Sequence, residues 1–469
     1  MKTKKFLSMA ALALVGALMT GCSSDDNIDN AQPENKSKVV TLTAKVGFDA
    51  SVGTRALDAS GHKTFATGDK MAVIYKNTSG GFKRADGTLS SGAGTQSATF
   101  DITLSDPDNT APIRYIYPAA MAKEESELGA TINDDASTVD FTKLNTQDGT
   151  LAKLGSDLDL CILDTPAEWS TTELPSGTLS NKLAILAITL KSSGDINNTI
   201  KGMTISDGTY CYSVDRTPSD GAIYVAIRPT SGATISVSAT NNDVSQTYIK
   251  NLTGKTYEKN NGYVLNWTMT ASSYRMASAA TSEDKGKQIC AAGHIHPAGG
   301  DAECTQNRVA KIVYVGNETG ESPFGFIHGL ALAMNDAGGG SYFQWSTSST
   351  KIHTYNPTSD SFASESGLQY KDATHNSDTY PAFMAAFANN STAAPTGCSA
   401  WFLASGYQWT KMFAGDAGGL KTLADLKSVC YWSSTEYDAS NAWYFYPGDG
   451  DWGCDDKDNY YLVRSCLAF

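Results

Sequence analysis

The chain has 469 residues, a net charge of −13 and only 18% charged residues. That balance weighs against a nucleic-acid partner, because no basic stripe is present to displace counterions from phosphate; acidity of this kind keeps a surface protein soluble. Abundant Gly (42) and Tyr (22), with many Ser and Thr, suit short strands and polar turns better than a helical bundle.

In chain order, Lys2, Lys4 and Lys5 form a basic start, Phe6 to Met19 an apolar run, and small residues precede Cys22. This is the pattern of a removed secretory signal, too short to span a membrane as a helix. Leu18-Met19-Thr20-Gly21-Cys22 resembles a bacterial lipoprotein lipobox, with Met19 where Leu is usual. The resemblance implies a signal peptide over 1–21, lipid on Cys22, and export to the outer membrane and cell surface, with Ser23-Ser24-Asp25-Asp26 as an export tether. About 445 residues then remain, enough for two or three domains. No later segment offers ~20 apolar residues in a row, so lipid on Cys22 is the one membrane attachment expected.

Residues 40–48 alternate strictly: Val40, Leu42, Ala44, Val46 and Phe48 on one side, Thr41, Thr43, Lys45 and Gly47 on the other. Period two predicts a half-buried strand. Gly53-Thr54-Arg55-Ala56 follows as an exposed, easily nicked segment. Thr67-Gly68-Asp69 turns into a second strand at Met71–Tyr75, and further strands are predicted over 113–117, 183–190, 200–205, 222–227, 234–238 and 263–269. Turn residues such as Asp207-Gly208 and Asp220-Gly221 punctuate them. The first half is therefore all-β, with a boundary between residues 155 and 180.

The lipobox, Thr54-Arg55-Ala56, the Thr67-Gly68-Asp69 turn and the closing run Tyr257 to Leu265 together resemble the fimbrillin family, the lipoprotein pilins of Bacteroides-type bacteria. The likeness covers roughly residues 36–270. It implies two small transthyretin-like β-sandwich domains, over 56–165 and 166–270, after a lipidated leader at 22–55. It also implies cleavage at Arg55/Ala56, loss of the strand holding Val40, Leu42, Ala44, Val46 and Phe48, and its replacement by a strand from another fimbrial subunit. Losing that strand would leave unpaired backbone beside an apolar slot, an edge that recruits a substitute. On the plainer alternative Arg55 is an ordinary loop residue and the strand stays in place.

Residues 271–284 are small and polar, as in a linker. Beyond them six of the eight tryptophans accompany Cys290, Cys304, Cys398, Cys430, Cys454 and Cys466. Those six cysteines allow 15 disulfide pairings, or remain as buried thiols. The spacing predicts a helix through Ile327, Leu330, Ala331 and Met334 with His328 on its apolar face, a second opened by Pro381, and a third capped by Ser405. Strands are predicted at 310–315, 430–433, 442–445 and 461–467. Ile312–Gly316, Trp401–Ser405, Tyr431-Trp432-Ser433-Ser434-Thr435-Glu436 with Ala442-Trp443, and Val463-Arg464-Ser465 resemble the C-terminal domains of Bacteroides and Fibrobacter surface proteins related to the C-type-lectin-like and formylglycine-generating-enzyme-like fold. That resemblance implies an α+β domain over 285–469. The Glu-Pro-Asn, Gln-Pro-Asp and Trp-Asn-Asp triplets of calcium-dependent sugar binders are missing from the sequence.

Asp449, Asp451, Trp452, Asp455, Asp456 and Asp458 form the candidate ligand surface: carboxylates suit calcium, and an exposed indole stacks on sugars. Their spacing is not that of the twelve-residue calcium loop, and a solvated acidic turn is the alternative. Cys290, His294, His296 and Cys304 are ligand types that zinc accepts, but the gaps match no familiar finger, and a Cys290–Cys304 disulfide or no bond is favoured, so no metal or other cofactor is expected. No Gly-x-Ser-x-Gly, His-Glu-x-x-His or phosphate loop occurs, and nothing marks Cys398 or Cys430 as an activated thiol, so no enzyme is expected. A C-terminal segment, Leu462 to Phe469, built into its domain as a strand leaves no donor strand there. The expectation is a fimbrial tip subunit whose last domain adheres to a glycan or host-protein receptor; the alternative is a surface-anchored glycan-binding lipoprotein that never polymerises.

Overall fold

The computed structural model describes residues 38–48, 64–165, 169–170, 172–243, 246–297, 307–352, 362, 365–372, 374–414 and 419–469. The expected signal peptide, Cys22, Arg55, Ala56 and Cys304 lie outside them. The described chain is mainly β.

Eight strands come first: β1 (Val39–Phe48), β2 (Lys70–Lys76), β3 (Phe82–Ser91), β4 (Ser97–Ser105), β5 (Arg114–Tyr117), β6 (Thr146–Gln147), β7 (Cys161–Asp164) and β8 (Gly177–Asn181). Seven of them close into a barrel in the order β1-β4-β3-β2-β5-β7-β8. The expected sandwich faces thus belong to one continuous sheet, which still encloses a core from opposite sides. Closure needs β8, beyond the boundary expected at 165. Its residues Gly177–Leu179 supply the parallel partner for Val46–Phe48, and the Asn181 side chain donates to the Asp159 carboxylate.

Next come β9 (Ala184–Lys191), β10 (Ile200–Ser206), β11 (Cys211–Asp215), β12 (Ile223–Ile227), β13 (Thr230–Asn241), β14 (Thr247–Tyr257), β15 (Asn261–Thr268) and β16 (Thr270–Ser272). They make a six-stranded sheet, β16-β14-β13-β10-β11-β6, and a three-stranded one, β12-β9-β15. Ile188, Leu190, Ile205, Val225, Val237 and Trp267 fill one core that also takes in Ile74, Ile116, Leu144 and Leu158 from the preceding segment. The tiny β6 belongs to this second sheet, pairing with Ser213 and Val214. Such long-range docking has no period to betray it in sequence.

The segment expected to be a linker, 271–284, is packed. Met276 and Ala277 are buried. Asp284 is fully buried, bonded to Arg275 and Lys287 at 2.6 and 2.8 Å, and forms a capping box with Thr281. A small, polar stretch reads as a tether only until one of its carboxylates, Asp284, finds two cations.

The remaining strands are β17 (Gln288–Cys290), β18 (Ile295–His296), β19 (Arg308–Val315), β20 (Gly329–Ala333), β21 (Tyr342–Gln344), β22 (Phe402–Leu403), β23 (Tyr431–Glu436), β24 (Asn441–Tyr446), β25 (Asp451–Asp456), β26 (Tyr460–Leu462) and β27 (Ser465–Ala468). Two sheets result, β18-β17-β19-β20-β27-β22 and β21-β26-β23-β24-β25, with helices at Pro381–Ala388 and Gly406–Ala414. The helix expected through Leu330 is instead β20, every residue of it buried. A short run that is apolar on both faces satisfies helical and strand spacing alike. The strand wins because Gly329 lies where a Cβ would fall 2.4 Å from the Phe469 ring and from the Tyr314 carbonyl. His328 accordingly sits at a strand entry, not on a helix; its backbone N–H donates to Phe469 O at 2.8 Å. Ser405 caps its helix as expected, in a reciprocal pair: its Oγ accepts from the Gln408 N–H at 3.3 Å, and Gln408 Oε1 accepts from the Ser405 N–H at 2.9 Å. The single strand expected over 461–467 is broken at Val463-Arg464, where the chain passes from one sheet to the other.

Candidate functional site

The strand expected to be removable occupies an interior place in the barrel. Residues Val39 to Gly47 pair antiparallel with Ser105 to Ser97 of β4, and Val46 to Phe48 run parallel to β8. Leu42, Ala44, Val46 and Phe48 are buried, while Val40 lies at the half-buried rim. The Phe48 ring stacks on Phe65 at 4.2 Å and meets Tyr117 edge-on at 5.5 Å. On the outer face Lys45 pairs with Glu173 at 3.1 Å, both well exposed, and Leu174 N–H donates to Thr43 O at 3.1 Å. Below this strand Asp69 accepts from the Ala66 N–H at 2.8 Å and from the Tyr117 hydroxyl, which gives the Thr67-Gly68-Asp69 turn its shape. Each edge beside β1 is therefore a hydrogen-bonding backbone with an apolar floor beneath it.

The acidic candidate surface differs from the expectation. Asp451 to Asp456 is a strand, β25, paired with β24 at the edge of its sheet. Alternation sends Asp451 and Asp455 to one face and Asp456 to the other, so the carboxylates do not converge. Asp449 and Asp458 flank the strand, exposed. Trp452 is half-buried against Phe362 at 4.6 Å and Phe445 at 5.2 Å, so it is not an open stacking platform. Asp455 accepts from the Tyr461 hydroxyl and from the Asp456 N–H; burial pushes its pKa up, but these donors prevail and hold it low. Charged side chains along an edge strand discourage edge-to-edge pairing with another sheet.

The motif residues of the C-terminal segment turn inward. Ser433 O accepts from Trp345 Nε1 and Ser433 Oγ donates to Trp443 O, each at 2.8 Å. Thr435 Oγ1 accepts from Gly406 N–H at 2.9 Å and donates to Glu365. Glu436 pairs with the buried Lys457, whose Nζ also donates to Ala439 O at 2.7 Å. Arg464 Nε pairs with buried Asp336 at 2.8 Å. These residues hold the fold together and offer no open ligand surface.

Sequence reasoning missed Glu321, which is fully buried. Its carboxylate accepts from the N–H groups of Gly367 and Leu368 at 2.9 and 3.1 Å, from Gln408 Nε2 at 2.6 Å and from the Ser366 hydroxyl. Burial pushes its pKa up to about 7, against the pull of Ser366 and the other donors. A raised carboxyl pKa means that its stabilising contribution is full below about 4.5, the unfolded value, and is lost as pH rises through about 7. Glu321→Gln keeps the acceptor, donates to Ser366 instead, and no longer titrates. Wild-type stability is expected to fall relative to that of the variant by on the order of 3 kcal/mol from about pH 4 to pH 8, read by denaturant titration with tryptophan fluorescence. A gap that does not change with pH would show that burial leaves the Glu321 pKa where it is in the unfolded chain.

Among the described residues no disulfide links two cysteines. Burial pushes the Cys398 thiol up, and burial with Asp455 does the same for Cys430; neither environment favours a reactive thiolate.

No family model and no curated protein matches the chain. Among solved structures it is similar to a fimbrial protein from Bacteroides ovatus, at 13% identity and TM-score 0.30 over 91% of this chain and 99% of that one. A putative cell adhesion protein from Bacteroides uniformis matches at 15% identity and TM-score 0.29, over 52% of this chain and 99% of that one. The tip fimbrial protein Mfa3 from Porphyromonas gingivalis matches at 11% identity and TM-score 0.22, over 50% of this chain and 99% of that one. At these scores the likeness carries no argument about function.

Proposed function

We propose that this chain is a subunit of a surface fimbrium, exported as a lipoprotein through Cys22, cut after Arg55, and joined to its neighbour by strand exchange in the slot of β1. The observation that carries the reading is the interior position of β1. It lies between β4 and β8 with four buried apolar side chains, and Arg55 of the Thr54-Arg55-Ala56 step stands seven residues after Phe48. A strand at a sheet margin would leave nothing to fill.

A tip position is the finer part of the proposal. It is supported by β27, which is paired on both sides, with Leu330–Leu332 and with Phe402–Leu403, so that segment is not available for donation to a neighbour. Segment 285–469 would then carry adhesion, with the exposed Asp449, Asp451, Asp456 and Asp458 as one candidate contact for a glycan or host protein.

Protein cut after Arg55 is to be mixed with a synthetic donor strand from a stalk fimbrillin and analysed by native mass spectrometry. A stable one-to-one complex is expected, formed only after cleavage. Equal binding by uncut protein, or none by cut protein, would overturn exchange and leave a surface-anchored binder.

A further inference from the structure

The hairpin β17–β18 carries three metal-ligating side chains, one cysteine and two histidines, on one face. Cys290 N–H donates to His294 O at 3.0 Å across the turn, which sets Cys290 beside His294, and period two brings His296 to the same side. Gly293 makes the turn possible, at φ +82°, with Thr396 O only 2.1 Å from where a Cβ would be. Cys290, His294 and His296 are all buried, at 0%, 7% and 0% exposure. The Cys290 sulfur and one ring nitrogen of each histidine lie within 4.8 Å of one another. Nε2 of His294 is buried with no hydrogen-bond partner among the described residues, a state that a polar ring nitrogen tolerates poorly. Tyr274 covers the group, its ring 5.5 Å from His294 and 4.5 Å from His296.

We propose that Cys290, His294 and His296 bind a zinc ion. Zinc takes thiolate and imidazole at about 2.3 and 2.0–2.1 Å in a tetrahedron, so its ligand atoms stand about 3.3–3.6 Å apart. Closing from 4.8 Å asks for side-chain shifts of roughly an ångström, with no change of hairpin register. Three protein ligands leave one position for water or another donor. Thiolate with two imidazoles selects a borderline-soft ion over calcium or magnesium, which want oxygen.

The location suggests what the ion does. Met276 bridges to His294, and Thr396, behind Gly293, bonds through its Oγ1 to Asn251 of β14 at 2.9 Å. The ion would fasten the hairpin at the seam between the β14 sheet and the C-terminal segment.

The full-length chain is to be prepared with zinc sulfate, desalted, and assayed by plasma mass spectrometry, beside His294→Ala and Cys290→Ser. One zinc per wild-type chain is expected, falling at least about tenfold in either variant. Stripping wild-type protein with a chelator is expected to lower its melting temperature, and zinc alone to restore it. Should the variants fail to fold, that wild-type cycle decides by itself. Folded wild-type protein without zinc, an unmoved melting temperature, or an intact mass showing Cys290 oxidised to Cys304 would each overturn the site.

Discussion

Protein cut after Arg55 and freed of its leader is expected to lose the protection of strand β4 and of Gly177–Leu179 in hydrogen exchange, while the β2–β3 hairpin stays protected. Leu42, Val46 and Phe48 are each buried, and a side chain of that size contributes about 1.5–3 kcal/mol. With Ala44 and the backbone pairs of two flanking strands, their loss removes on the order of 8 kcal/mol, which is comparable to the whole stability of many domains at ~5–15 kcal/mol. Phe65 also loses its stacking partner Phe48. A peptide of residues 39–48 added in excess is expected to restore the slow exchange, because both edges and the apolar floor remain. If exchange at β4 is the same before and after cleavage, β1 contributes no more than a surface strand would.

The second large effect is expected at Arg464. This side chain is buried beside Asp336, and its guanidinium donates to the carbonyls of Ala333, Ala424 and Asp425 at 2.8, 3.2 and 3.3 Å. Asp336 keeps Lys427 at 3.2 Å and the Tyr431 hydroxyl at 3.1 Å, but loses its closest cation. Removing one partner of a buried pair costs about 3–5 kcal/mol, chiefly by stranding the other charge. Arg464→Met is therefore expected to destabilise the C-terminal segment by that amount in denaturant unfolding. Adding Asp336→Asn removes the stranded charge while keeping an acceptor for Tyr431, so the double variant is expected to recover part of the loss. A double variant no more stable than the single one would place the effect in the three carbonyls.

These two sites differ in how readable they are. Strand β1 is legible because period two over nine residues has one physical meaning, a pleated ribbon with one dry face. Its parallel neighbour β8 is not, since Gly177–Asn181 earns its place only by reaching a strand more than 120 residues away. Gly329–Ala333 holds no polar residue to set a period, so helical and strand spacing fit it alike. In the acidic run composition suggested a site, yet a strand sends neighbouring carboxylates to opposite faces and Trp452 into its own hydrophobic surroundings. Glu436 and Arg464 stood out as part of a motif, but their roles rest on Lys457 and Asp336, and burial of opposite charges from distant segments leaves no local signal. The cluster at Cys290 was visible as composition; the hairpin register that gathers it was not.

One feature bears on mechanics. Asn145 Nδ2 reaches Ser322 O at 2.6 Å, Ala400 N–H donates to Gly208 O at 2.7 Å, and Gly397 N–H to Ser236 Oγ at 3.1 Å. The C-terminal segment is thus riveted to the β6–β16 region at several separated points, with no slack cord between them. Tension applied across that seam would meet several bonds loaded together, so they are expected to give way as a group and not one at a time.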